Sequence, residues 1–360
     1  MKHALLLAGL FALVVVLGCY PEEWADVAPG GEHLAVARLK EGLFYVSTDG
    51  EEARRLAPNG WNPRISPDGR YCAFTSFAPD TEEPRHARFT LYDLETDSAF
   101  HLASVTLADE DKAAFFWPDW HPDTTKLAYV RWTFREEALL TELRLRDLEE
   151  RTDDVLAENV GFHAAWSPDG SRLAFLQSDE PLRDGDEFAL GTLVVTEGLD
   201  VQKPRGRVVY DYTGHVAWLS DDRLVLGARS LGLPTAGVEM GELPQAAYVV
   251  DLAEDTVEPI EATRGMDWHQ WGSPLRVSPG GERLLFGRKD TETDQIGVWC
   301  YDFASEQATQ IIESSADGYP FWVSEDEVGC FIEEDAIVIL TLDEEDQVVG
   351  RRMLSLEDML

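Results

Sequence analysis

The chain has 360 residues, 44% of them hydrophobic, and sets 30 basic side chains against 68 acidic ones. The resulting formal charge of −38 repels nucleic-acid phosphate and anionic lipid head groups, which excludes partners of that kind. Abundant acid with few lysines is a pattern of proteins that face high salt, so a saline habitat is an expectation.

The first residues are read apart from the fold. Met1-Lys2-His3 is a short basic segment, Ala4 to Leu17 is an apolar run, and Gly18-Cys19 gives way to polar Tyr20-Pro21-Glu22-Glu23. This is the pattern of a signal peptide over 1–18, too short and too abruptly ended for a membrane span. The Val16-Leu17-Gly18-Cys19 junction resembles a bacterial lipobox. That resemblance implies lipidation at Cys19, with 19–23 as the lipidated Cys and a short tether. In a diderm cell it further implies, from Tyr20, an outer-membrane location on the periplasmic or surface face. An ordinary secretory signal with an incidental Cys is the alternative.

Beyond the tether, one tight turn recurs seven times. In chain order the copies are Ala28-Pro29-Gly30-Gly31, Ser66-Pro67-Asp68-Gly69, His121-Pro122-Asp123, Ser167-Pro168-Asp169-Gly170, Ser220-Asp221-Asp222, Ser278-Pro279-Gly280-Gly281 and Ser324-Glu325-Asp326. Pro presets φ near −65°, Asp hydrogen-bonds nearby backbone, and Gly supplies a positive φ. Each turn is preceded by an aromatic or aliphatic residue, such as Val27, Ile65, Trp120 or Trp166. Such a residue is expected to wedge between neighbouring repeats. After the turns come short runs rich in Val, Leu, Phe and Tyr, as in Arg70 to Ser76, Phe89 to Leu94 and Ala99 to Ala103. These read as strands. Only Glu136 to Glu150 is charged enough to be ambiguous with a helix.

The turns lie 38 to 58 residues apart, which brackets the roughly 40–50 residues of a four-stranded propeller blade. The segment Trp166-Ser167-Pro168-Asp169-Gly170-Ser171-Arg172-Leu173-Ala174-Phe175 and its weaker copies resemble the WD40-like, TolB-type β-propeller repeats of bacterial envelope proteins. The same repeats occur in propeller domains of prolyl-oligopeptidase-type enzymes. The resemblance covers Trp24 to Leu356. It implies an all-β fold, a seven-bladed β-propeller of four-stranded antiparallel blades in a single domain over 24–360, with six blades as the alternative. It is unspecific for function. Blade 1 begins at Trp24 and the last strand lies near Val349 to Leu356. Closure is therefore expected to rest on packing between the first and last blades.

Cys72, Cys300 and Cys330 sit in apolar strands on separate repeats and read as small core residues, not as a disulfide framework. No Gly-x-Ser-x-Gly elbow, His-Glu-x-x-His, Cys-x-x-Cys or phosphate-binding glycine loop occurs.

Two places remain for a ligand. Three residues before the wedge position, the innermost strands carry Trp24, Asn62, Trp117, His163, His215 and Tyr319, with His269, Gln270 and Ser273 near the corresponding point of the sixth copy. Residues at one offset are expected to ring the axial channel. Aromatic rings stack on sugars or peptides, and His163, His215 and His269 are candidates for a divalent metal. A metal-bearing tunnel would be similar to that of oligogalacturonate-lyase-type propellers, although no residue motif carries over. The other place is the set of long loops 78–86, 178–191, 230–245 and 289–295, on the face opposite the corners. Within them Asp179-Glu180 and Asp184-Gly185-Asp186-Glu187 are weighed as Ca²⁺ ligands against a solvated acidic loop. The preferred expectation is a lipid-anchored, monomeric envelope propeller without cofactor. It would bind a protein, peptide or glycan and catalyse nothing. The alternative is an axial-channel enzyme, a polysaccharide lyase or hydrolase using the His cluster.

Overall fold

The computed structural model describes residues 23–38, 41–77, 86–106, 111–135, 138–183, 188–199, 201–210, 215–232, 244–265, 275–289, 296–315, 320–333 and 336–356. Cys19, His269 and Tyr319 lie outside the described residues, as do the central parts of the long loops. Seven antiparallel sheets are present, so the seven-bladed reading holds and the six-bladed one does not. Each sheet is built from one contiguous stretch. Blade 1 is Glu23–Val27, His33–Arg38, Gly42–Ser47 and Ala53–Ala57, paired in that order. The first strands of blades 2 to 7 are Trp61–Ile65, Asp111–Trp120, Val160–Trp166, Val216–Ser220, Arg276–Val277 and Phe321–Trp322. Each first strand touches the first strand of the next blade, and the seventh touches the first, which closes a ring around the axis. The ambiguous charged segment is a strand, Ala138–Asp147, whose side chains alternate between buried and more exposed positions.

The recurrent corner works through side-chain-to-backbone bonds. In blade 2, the Ser66 hydroxyl donates to Asp68 Oδ1 (2.5 Å) and accepts the Tyr71 amide (2.8 Å). The Gly69 amide closes the turn on the Ser66 carbonyl (2.8 Å), with Gly69 at φ +74°. Ser167 and Asp169 repeat this arrangement in blade 4.

The wedge residues do more than fill space. The indole N–H of Trp120 donates to the Arg64 carbonyl of the preceding blade (3.1 Å). Trp218 donates likewise to Ala165 (2.8 Å), and Trp322 to Arg276 (2.8 Å). A buried carbonyl left without its donor costs about 1–3 kcal/mol. We therefore expect Trp218→Phe to lower stability by about 2 kcal/mol in urea denaturation. Trp166 Nε1 has no partner among the described residues, so Trp166→Phe should cost clearly less. Equal losses in the two variants would rule out the hydrogen bond as the cause.

Closure uses no shared strand. Blade 1 contributes Leu34, Val36, Phe44 and Val46, and blade 7 contributes Phe321, Val323, Phe331, Ile337, Ile339 and Leu354, to one apolar cluster across the seam. Burial of this kind stabilises by about 25 cal/mol per Å² of apolar surface. Comparable clusters join blades 5 and 6 and blades 6 and 7. Cys72, Cys300 and Cys330 are buried free thiols, as the sequence leads one to expect. Burial raises all three thiol pKa values, Cys330 to about 12, so none is poised as a thiolate.

Candidate functional site

The innermost strands bring an arc of rings to the axis. Trp24, Trp61 and Trp117, from blades 1 to 3, pack mutually with centroids 6.0, 5.4 and 5.1 Å apart, two of the three contacts edge-on. Trp117 meets His163 of blade 4 edge-on at 4.8 Å, and His163 lies against His215 of blade 5 at 4.1 Å. Of the residues expected to ring the channel, Trp24, Trp117, His163 and His215 are thus brought together.

Asn62 needs a correction. In blade 2, Trp61 pairs with Thr75 and Arg64 with Ala73, so the strand bulges at Asn62-Pro63. Asn62 takes a left-handed φ of +52° in that bulge. The ladder position equivalent to Trp24 and Trp117 therefore belongs to Trp61. Asn62 is nonetheless fully buried, and neither of its amide atoms has a hydrogen-bond partner among the described residues. Trp117 Nε1 and His163 Nε2 are also buried without a partner there. Such atoms are costly unless something bonds to them.

One step toward the corners lies a charged layer on the same strands, immediately before the wedge position: Asp26, Arg64, Asp119 and Arg276. Asp26 Oδ2 accepts the Ile65 amide of the next blade (2.6 Å), and Asp119 Oδ2 accepts the Trp166 amide (2.8 Å). Arg64 lies 3.6 Å from Asp26, and the guanidinium groups of Arg64 and Arg276 sit over the Trp24 ring at 5.8 and 5.9 Å. Burial pushes the Asp119 carboxyl up to about 6, against the pull of the Trp166 amide and the two arginines. Burial likewise drives His163 well below the usual imidazole range, helped by His215, Arg64 and Arg276. His215 is pushed down to about 3 by burial, then by Arg276 and Arg64. Both imidazoles are therefore neutral at pH 7. They and the Asn62 amide can exchange hydrogen bonds with hydroxyl or peptide groups beside an aromatic wall. Among the described residues no group of three His, Cys, Asp or Glu side chains is placed to hold a metal.

On the loop face, Asp179 is paired through both carboxylate oxygens to Arg207, at 2.7 Å on Oδ1, which holds its carboxyl below the usual range. That pairing takes Asp179 out of the Ca²⁺ reading, and residues 184–187 lie outside the described residues. A cavity of about 330 Å³ instead lies at the corner end of the axis, where blades 1, 6 and 7 meet. The corners thus bound a pocket of their own, contrary to the expectation that they mark only the face away from ligands.

The sequence matches no family model. No curated protein matches it either. Solved structures resemble the fold. Oligogalacturonate lyase from Vibrio parahaemolyticus has a TM-score of 0.63 at 15% identity, with 91% of this chain and 90% of that one covered. An oligogalacturonate lyase in complex with manganese gives 0.61 at 15%, covering 89% and 88%. The β-propeller domain of the Trilobed protease from Pyrococcus furiosus, described as having an open velcro topology, gives 0.53 at 14%, covering 82% of each chain. At these identities the likeness is one of fold.

Proposed function

We propose that this propeller is a lipid-anchored binding module of the cell envelope, which takes a peptide or glycan segment against its axial arc. The observation that carries the reading is the set of buried, unpartnered polar atoms on Asn62, Trp117 and His163. They sit within a wall of stacked and edge-on rings that suits the flat faces of sugars and peptides. The Met1 to Cys19 pattern supports the anchor and the envelope location. A glycan and peptide binding screen with mature protein tests the site. Binding by wild type that falls at least tenfold in Trp117→Ala supports the reading, whereas binding unchanged by that substitution overturns it. Palmitate labelling lost in Cys19→Ala supports the anchor, and an unlabelled, soluble wild type refutes it.

A catalytic reading is favoured by one observation, the adjacent neutral His163 and His215 rings. A fold neighbour that is a lyase bound to manganese makes that pair worth testing. Metal retained after purification, and lost in the His163→Ala, His215→Ala double variant by ICP-MS, would favour the enzyme. Metal content independent of both residues would remove the metal version.

A further inference from the structure

The cavity between blades 1, 6 and 7 has a different chemistry from the aromatic arc. Its volume of about 330 Å³ lies at the small end of the range for organic-ligand pockets. That size suits a compact molecule. Two of its walls carry opposite charges, Asp26 from blade 1 and Arg276 from blade 6. Between them the lining is apolar, with Val27, Val277, Phe321 and Trp322.

Both charged groups are held in place by neighbours. Asp26 Oδ2 accepts the Ile65 amide, and Oδ1 faces Arg64 at 3.6 Å. A carboxylate has about four acceptor positions, so capacity for a further donor remains. The Arg276 carbonyl accepts the Trp322 indole N–H at 2.8 Å, and its guanidinium rests over the Trp24 ring. A guanidinium held this way can present an N–H edge to a carboxylate as a two-pronged contact. A ligand bearing only negative charge would be repelled by the −38 of the chain as a whole, whereas a net-neutral dipolar one would not.

We propose that this cavity binds a small zwitterion of the α-amino-acid type with an apolar side chain. Its carboxylate would pair with Arg276, its ammonium with Asp26, and its side chain would lie against Phe321 and Trp322. The site spans the seam where the ring closes without a shared strand, so the bound ligand bridges the first and last blades. Occupancy therefore raises the stability of the closed ring by linkage.

The test is calorimetric titration and thermal unfolding of the mature protein with L-leucine, leucinamide and 4-methylpentanoate. Leucine is expected to bind and raise Tm. Leucinamide, lacking the carboxylate, and 4-methylpentanoate, lacking the ammonium, should each bind at least about tenfold more weakly. Arg276→Gln should weaken leucine by a similar factor. Absence of both heat and Tm shift with millimolar leucine overturns the proposal, and so does equal binding of the three compounds. The ligand comparison is made on wild type, so a poorly folding variant leaves it decisive. A failed glycan and peptide screen would not affect it, because the aromatic arc occupies a different layer of the axis.

Discussion

Replacing Gly281 by alanine should lower stability by about 3 kcal/mol. Two effects add. Gly281 has φ +77°, a conformation that costs an L-residue roughly 1–2 kcal/mol. In addition, a Cβ there would lie 2.1 Å from the Leu219 carbonyl oxygen of the preceding blade. That neighbour is backbone and cannot swing aside, so blades 5 and 6 must part locally, at a typical overpacking cost of about 1–3 kcal/mol. Gly30 supplies the control, since it has φ +87° and nothing within 4 Å of a built Cβ. Gly30→Ala should show the conformational cost alone, about 1 kcal/mol. Urea midpoints of the two variants separate the effects, and a Gly281→Ala no worse than Gly30→Ala would show that close blade approach contributes nothing.

The second large effect concerns pH. The folded-state pKa of His215, about 3, lies below its ordinary value of 6.5, so the native state resists taking its proton. Stability contributed by this group is present above pH 6.5 and is lost as pH falls from 6.5 toward 3. Asp119 runs the other way. Its carboxyl is raised from 3.8 to about 6, so its contribution is full below 3.8 and is lost as pH rises through 6. The many surface carboxylates also titrate, and comparison with a variant cancels them. His215→Gln should therefore gain on the wild type by about 3 kcal/mol between pH 6.5 and pH 4, at about 1.4 kcal/mol per pH unit. Urea titrations of both proteins across that range would check it. A difference that stays flat would mean that His215 is not neutral in the folded state.

The architecture was legible because one corner repeats, and its bonding depends on Ser, Asp and Gly at fixed places. Register was harder to read. The corners after Trp218 and Trp322 are shorter than the Ser-Pro-Asp-Gly form, so the wedge Trp, not the Ser, marks equivalent positions. The displacement of Asn62 had a sequence signal. Pro63 has no amide proton to give a ladder, and such a residue within an inner strand marks a bulge. The charged layer had a signal too, since Asp26, Arg64, Asp119 and Arg276 share one position in otherwise apolar strands. The Asp179 pairing had none, because Arg207 lies 28 residues away and joins it only when the strands are assembled.

Building every blade from a contiguous stretch has a consequence for how the chain acquires its structure. Strand partners always lie close in sequence, so most contacts within a blade close short loops, and low contact order favours fast folding. Blades can form one after another as the polypeptide emerges, each docking on the one before. Only the junction of blades 1 and 7 joins distant parts of the sequence. Ring closure is then the last step and the slowest, and the seam is where a partly folded chain would stay sticky longest.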